Sequence, residues 1–493
     1  MKRSQLEKIC FCLTALLLTG AAVSCGGTAV NEPADTAALK EAAETQTEAV
    51  EESKYTADYL PEVDYGGYEY RIIDYAENAQ YVPEETGNIV EDAVYKRNRL
   101  IEERYNVKFT AVTYPFTNYE EVSSLVKKSG TAASDDFDLA TLVFRAAYND
   151  VLDGIIPAGS QLPVADLSQP WHVRSINDSI TIDGVTLLDF TAFDERPGGQ
   201  SMLFNKKIVN DFDMENPYTM VDNGTWTSEK MLKMGMEAVS DVNGSGSYER
   251  GDRFGFIGEW DSSTYITYIG TGHMLVNIVD GIPTVNQEQL LLDAFELFQT
   301  YTNQPGFFLD PFAEFGTAEA SRIEGYNLFK QGQSMFVVMG TSNLTIMGDM
   351  LDDYGVLPFP KWTEEQDRYY VNMDRDIIAV PLSCSSDLER VCTIKEALAV
   401  ESMNIVYPAF YDNALKNRYV RDEDSIRMLE IITDSVVVDL GQSPWWDIIR
   451  APWMDTLKSK KNNFASAVEK NTKKANTAIE KMMECIAAIK ENS

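Results

Sequence analysis

The chain has 493 residues, with 77 Asp and Glu against 42 Lys and Arg and a formal net charge of −35. That balance argues against nucleic acid and anionic lipid as partners, since both are recognised through basic patches. The only two histidines, His172 and His273, argue against a multi-histidine zinc site and against histidine-based catalysis.

Lys2, Arg3 and Lys8 precede a nearly all-apolar run from Ile9 to Leu18, and the small residues Thr19 to Ser24 follow. This order predicts a secretory signal peptide over residues 1–24. The apolar run is shorter than the roughly 20 residues of a spanning helix. Ala22-Val23-Ser24-Cys25 resembles a bacterial lipobox, with Ala22 where leucine is more usual. The resemblance implies that Cys25 is acylated, becomes the mature N-terminus and anchors the protein to the cell membrane. An ordinary secreted protein with a chance cysteine is the alternative. Residues 25–58 are dominated by Ala, Glu and Thr, with no aromatic before Tyr55, which predicts a flexible acidic tether. Loss of the leader removes Lys2, Arg3 and Lys8 but only one acid, Glu7, so the mature chain is more acidic still. Its body keeps Cys384, Cys392 and Cys485, an odd and widely spaced set that is no disulfide framework. Three thiols are expected, with a Cys384–Cys392 bridge as the alternative.

Tyr68 to Tyr75 reads as a strand rich in aromatic and β-branched residues. Ile89, Val90, Ala93, Val94, Leu100, Ile101 and Tyr105 then recur at helical spacing. Val107, Phe109 and Ala111 alternate as a strand, Tyr119 to Lys127 reads as a helix, and Asp138 to Phe144 as an apolar strand. This βαβαβ order predicts an α/β fold with a parallel sheet, whose ligands sit at the carboxyl ends of the strands. Further on, Leu290 to Thr302 reads as helix, and Met335 to Met339, Tyr354 to Leu357 and Ile377 to Pro381 as strands. Phe464 to Lys490 places Val468, Ala475, Ile479, Met482, Ile486 and Ile489 on one helical face.

Four stretches, in order, resemble the bacterial extracellular solute-binding proteins related to the maltose-binding protein. They are NIVEDAVYKRNRLIEERYNVKF (Asn88 to Phe109), MLFNKKIVNDF with TWTSEKM (Met202 to Met231), EGYNLFKQGQSMFVVMG (Glu324 to Gly340) and YGVLPFPKW (Tyr354 to Trp362). The resemblance implies a periplasmic-binding-protein-like fold of two α/β lobes joined by a hinge, with ligand in the cleft between them. It places residues 59–196 and 341–382 in lobe one, and 197–340 and 383–493 in lobe two. The implied role is capture of a small solute, by default a carbohydrate, for the membrane permease of an ABC importer, by a monomeric protein. Presentation of ligand to a membrane sensor is the alternative partner. A surface glycoside hydrolase is the enzymatic rival, but no nucleophile elbow, metal-ligand cluster or phosphate loop marks a catalytic centre.

Sugar sites combine aromatic faces with planar polar side chains. Trp445 and Trp446 in SPWWDII are candidates for the aromatic role, with packing in the lobe-two core as the other reading for either. Trp171, on a loop of lobe one, is a further candidate, equally readable as a plug at the end of that lobe. Gly340, Thr341, Ser342 and Asn343 follow the returning strand, where the resemblance puts backbone and small polar groups against the ligand. Asp194 and Glu195 precede another crossing and are candidates to accept sugar hydroxyls. DVNGSGSYERGD, Asp241 to Asp252, fits much of a twelve-residue calcium loop: Asp241, Asn243, Ser245, the Ser247 carbonyl, Glu249 and Asp252 as ligands, and Gly246 at the sharp turn. Ser245 and Asp252 depart from the usual Asp or Asn and bidentate Glu, so a weak structural calcium or an empty turn is expected.

Overall fold

The computed structural model describes residues 53–74, 81–112, 120–132, 134–193, 199–316, 319–373, 376–382, 387–416, 420–443 and 445–491. The signal peptide, Cys25, most of the tether, Asp194, Glu195 and Cys384 lie outside these. Tyr55 and Ala57, assigned above to the tether, belong to the folded body. Tyr55 exchanges backbone hydrogen bonds with the Asn404 amide at 3.0 Å each way, and Ala57 and Leu60 are buried in the first lobe's core.

The first lobe is built on the predicted βαβαβ run. Strand β1 (Tyr68–Ile73) follows a turn in which Gly66 and Gly67 both have positive φ. Helix α1 (Ile89–Tyr105) starts where the Asn88 side chain accepts from the Val90 and Glu91 amides, and ends at Asn106 in the left-handed region. It buries Val90, Ala93, Val94, Ile101 and Tyr105 of the periodic stripe read from the sequence, while Leu100 of that stripe is exposed. Strand β2 (Val107–Val112) pairs parallel with β1. Helix α2 (Glu120–Ala132) leads to β3 (Leu139–Leu142), which pairs parallel with β1 on its other side, and helix α3 (Phe144–Leu152) follows at once.

The second lobe carries a five-stranded mixed sheet. Its strands are β4 (Gln200–Asn205), β5 (Phe254–Ile257), β6 (Phe308–Leu309), β7 (Ser334–Gly340) and β8 (Tyr354–Leu357), in the spatial order β6-β5-β7-β4-β8. Every residue of β4, β5, β7 and β8 is buried, as expected for a sheet covered on both faces.

Two expected lobe assignments change. Tyr354 to Leu357 was placed in lobe one with the rest of 341–382, but β8 pairs antiparallel with β4, Tyr354 opposite Asn205, and closes the edge of the second sheet. The chain regains the first sheet only at β10 (Ile377–Ala379), which pairs antiparallel with β3, after the short hinge strand β9 (Val371–Asn372). The stretch after 383 was given wholly to lobe two, yet helix α6 (Leu388–Glu401) lies in the first lobe. All ten residues from Val391 to Val400 are buried, and Val391, Ile394 and Leu398 share a core with Tyr70, Ile101 and Phe109. A helix buried on every side needs cover all round, which the first sheet and α1 supply.

The two lobes meet where separate lengths of chain run side by side. β9 pairs parallel with β11 (Val436–Val437), and the Thr341 amide donates to Gly199 O at 2.9 Å. Gly199 sits against both hinge strands: a Cβ there would come to 2.9 Å from Val436 Cγ2 and 3.0 Å from Asn372 O. The C-terminal helix (Phe464–Glu491) buries Ala475, Ile479, Met482 and Ile486, and accepts a contact from Tyr148 of α3, whose hydroxyl lies 3.4 Å from Met482 Sδ.

Candidate ligand-binding cleft

A cavity of about 390 Å³ opens where the lobes face each other. Its position follows from strand direction. β5 and β7 run parallel, so their carboxyl ends, Ile257 and Gly340, lie at the same edge of the second sheet. β4 is antiparallel to β7, which puts its first residue, Gln200, opposite Gly340. Helix α4 (Trp260–Tyr268) begins just past β5 and brings Glu259, Asp261, Ser262 and Tyr265 to the cavity. Helix α5 (Glu319–Lys330) adds Arg322 and Tyr326. From the first lobe comes Phe144, at the carboxyl end of β3, and from the crossing segments Asn372, Asp376 and Gln442. Ligands of open α/β sheets sit at such strand ends.

The polar groups are largely pre-arranged. Arg322 forms a two-pronged pair with Glu259, its Nε bonded to Oε1 and its Nη2 to Oε2 at 3.1 Å, a geometry that fixes both side chains. Arg450 is fully enclosed and donates through Nη1 to Asp261 Oδ1 at 2.6 Å and through Nη2 to Asp261 O at 2.5 Å. Its guanidinium lies between two rings, 3.9 Å from the centre of Tyr265 and 4.1 Å from that of Trp446. Across the hinge, Gln442 Nε2 donates to Asn372 Oδ1 at 2.7 Å, and both residues line the cavity. Gln200 is only 8% exposed, and its Oε1 has no hydrogen-bond partner among the described residues.

The residues singled out from sequence separate into groups. Gly340 and Asn343 line the cavity, Thr341 is buried beside them with its hydroxyl unpartnered among the described residues, and Ser342 is exposed. Trp171 does not reach the cleft: it is 1% exposed in the first lobe's core, stacks with Tyr59, and donates from Nε1 to Glu396 Oε1 at 2.8 Å. Trp445 is likewise buried in core, at 4% exposure. Trp446 stands behind the wall, covering Arg450 and not lining the cavity. Large indoles are drawn into interiors by the area they bury, and that preference governs here. The aromatic lining is Tyr265, Tyr326 and Phe144 instead. Sequence reading missed these, as it missed Glu259, Asp261 and Arg322, although Glu259 and Asp261 follow the apolar run Phe254 to Ile257, at a strand end where a site belongs.

The Asp241 loop is closed by its own hydrogen bonds. Asp241 accepts from the Ser245 amide at 3.1 Å and the Gly246 amide at 2.8 Å, with Gly246 at positive φ as the turn requires. Asp252 accepts from the Val242 and Glu249 amides at 2.8 and 2.9 Å, and Asn243 donates to Glu249 Oε1 at 3.0 Å. Among the described residues no three His, Cys, Asp or Glu side chains converge as metal ligands. Asp241 and Asp252 thus hold the turn through the loop's own amides.

No helix among the described residues is long and apolar enough to cross a membrane. No protein-family model matches the chain, and no curated protein matches its sequence. Among solved structures, the maltose/maltodextrin-binding domain MalE from Bdellovibrio bacteriovorus, bound to maltotriose, is similar at 13% identity over 84% of this chain and 100% of that one, with a TM-score of 0.52. A sugar transporter from Rhizobium etli, in an open conformation, matches at 15% identity, covering 83% and 99%, with a TM-score of 0.56. Maltose-bound MalE3 from T. maritima matches at 9% identity, covering 84% and 100%, with a TM-score of 0.53. At such identities the likeness is one of fold, and the chain has the two-lobe fold of these proteins.

Proposed function

We propose that this protein captures a small carbohydrate in the cavity between its lobes and delivers it to the permease of an ABC importer, without chemical change. The observation that carries this reading is the cavity itself. It joins hydrogen-bonding side chains from the second lobe and the hinge (Glu259, Asp261, Asn343, Asn372, Gln442) to the rings of Tyr265 and Tyr326 and, from the first lobe, Phe144, the mixture that sugar hydroxyls and C–H faces call for. Closure about the hinge would bring the two walls onto the ligand. Sugar-bound proteins among the structures of this fold support the same ligand class. The lipobox-like run ending at Cys25 supports attachment to the outer face of the cell membrane.

A thermal-shift and calorimetric screen of the purified protein against neutral sugars, sugar acids, polyols and peptides tests the reading. A sugar that raises the melting temperature progressively, with the logarithm of its concentration above Kd, and is recovered unchanged, is the expected result. A consumed sugar would make the protein an enzyme, and binding confined to peptides would overturn the carbohydrate assignment. For the anchor, Cys25→Ser should move the protein from membranes to the soluble fraction; continued attachment would sink that part of the proposal.

A further inference from the structure

We infer that Gln200 is a specificity-determining residue at the hinge wall of the cavity, and that it demands a ligand hydroxyl at that point. This rests on the reading of the cavity as a sugar site and goes beyond it by naming the side chain that selects among sugars of similar size. Gln200, Asn372 and Gln442 each bring a side-chain amide to the cavity from a separate length of chain. The last two are held by protein partners. Gln442 Nε2 donates to Asn372 Oδ1 at 2.7 Å, and Asn372 Nδ2 donates to Met373 O at 2.7 Å. Gln200 differs: it is only 8% exposed, yet its Oε1 has no partner among the described residues.

The backbone explains why the neighbouring strand leaves this amide unmatched. Gln200 opens β4, and the residue opposite it on β7 is Gly340. Residues directly opposite in an antiparallel pair put their side chains on one face, and Gly340, which also lines the cavity, has none to offer. The main chain is fixed as well. Gly199 O accepts from the Thr341 amide at 2.9 Å, and Val436 and Asn372 pack against Gly199. A buried acceptor without a donor is costly. The last torsion of a glutamine is broad and roughly two-fold, so the amide can turn either its oxygen or its nitrogen to the cavity. A hydroxyl both donates and accepts, and so matches the amide in either setting. A C–H group at the same point matches neither, and seals a polar group under the ligand, the situation in which sites reject an analogue most strongly.

The experiment is calorimetry on the intact protein with glucose, galactose, mannose, xylose, maltose and maltotriose, followed by the monodeoxy forms of the sugar that binds most tightly. One monodeoxy form should bind the wild type at least about tenfold more weakly than its parent, the span of one buried polar group left unpaired. Gln200→Met keeps the length of the side chain and removes its amide. It should bind the parent sugar at least about tenfold more weakly and should no longer distinguish the parent from that monodeoxy form. Its discrimination at the other hydroxyl positions should be unchanged. A folded Gln200→Met protein that discriminates as the wild type does would overturn the role given to Gln200 while leaving the carbohydrate reading intact. Binding of no sugar in the panel would overturn both. Gln200→Asn, which withdraws the amide by one methylene, gives the same comparison should Gln200→Met fail to fold.

Discussion

Nη1 of Arg450 donates to Oδ1 of Asp261 at 2.6 Å, tying a segment beyond the last hinge strand to the first turn of the helix that lines the cavity. The two are 189 residues apart in sequence. Arg450 also fills the gap between Tyr265 and Trp446, so its planar cation holds one lining ring and one lining acid together. Arg450→Met should lower stability by about 2–3 kcal/mol in urea denaturation, because stacking and the pair are lost together. Arg450→Lys should recover only part of this, since an ammonium cannot stack or bond in a fork. Full recovery by lysine would show that charge alone matters.

Gly199 is a crowded point in the lobes' connections. Its missing side chain lets Val436 and Asn372 approach, and an alanine would press on a side chain and a backbone oxygen at once. Gly199→Ala should cost about 1–3 kcal/mol by overpacking and should also shift the lobe spacing seen by small-angle scattering. Gly130, in α2, has nothing within 4 Å of an added Cβ. Gly130→Ala should therefore raise stability by about 0.4–1 kcal/mol, and that contrast separates crowding at the hinge from a general response to alanine.

The first lobe was legible because β1, α1, β2, α2 and β3 follow one another in a clear order, and α1 buries all of its marked stripe but Leu100 and, in part, Ile89. The lobe of Tyr354 to Leu357 was not, since a four-residue buried strand fits the edge of either sheet and only the distant partner β4 decides. Site residues were legible only where they adjoin a recognisable strand, as Gly340 and Asn343 do. Trp171 and Trp445 drew attention by their chemistry, but their size makes burial the stronger tendency. Tyr265, Arg322 and Arg450 are brought together by helices far apart in sequence, which no local pattern reveals.

Within the first lobe, His172 is clamped between two acids. Its Nδ1 lies 2.6 Å from Asp189 Oδ1 and its Nε2 3.1 Å from Glu396 Oε1, while Lys395 Nζ sits 3.2 Å from Asp189 Oδ2. Trp171, Asn177 and Tyr59 donate to the same carboxylates. Burial disfavours the imidazolium, but hydrogen bonds and charge from Asp189 and Glu396 outweigh it and raise the His172 pKa to about 9. A histidine raised in the fold binds a proton that the unfolded chain, near 6.5, has released. Its contribution is thus complete below about pH 6.5 and is lost as pH rises through about 9. Stability should fall across that window by up to about 1.4 kcal/mol per pH unit. His172→Gln should flatten this slope; an unchanged slope would assign it to other groups.

The Asp241 loop gives a last expectation, and it turns on where the carboxylate oxygens point. Calcium needs six to eight oxygens around one centre, whereas Asp241 and Asp252 here accept backbone amides and Glu249 accepts from Asn243. A loop closed this way needs no ion to hold its shape. Chelation should therefore leave the melting temperature of the protein unchanged, and added calcium should not raise it. Asp252→Ala should lower it with or without chelator, since two amides in the loop lose their acceptor. A drop on chelation that Asp241→Ala abolishes would mean that these oxygens turn from the amides to a bound ion, and that the twelve-residue spacing marks a working calcium site after all.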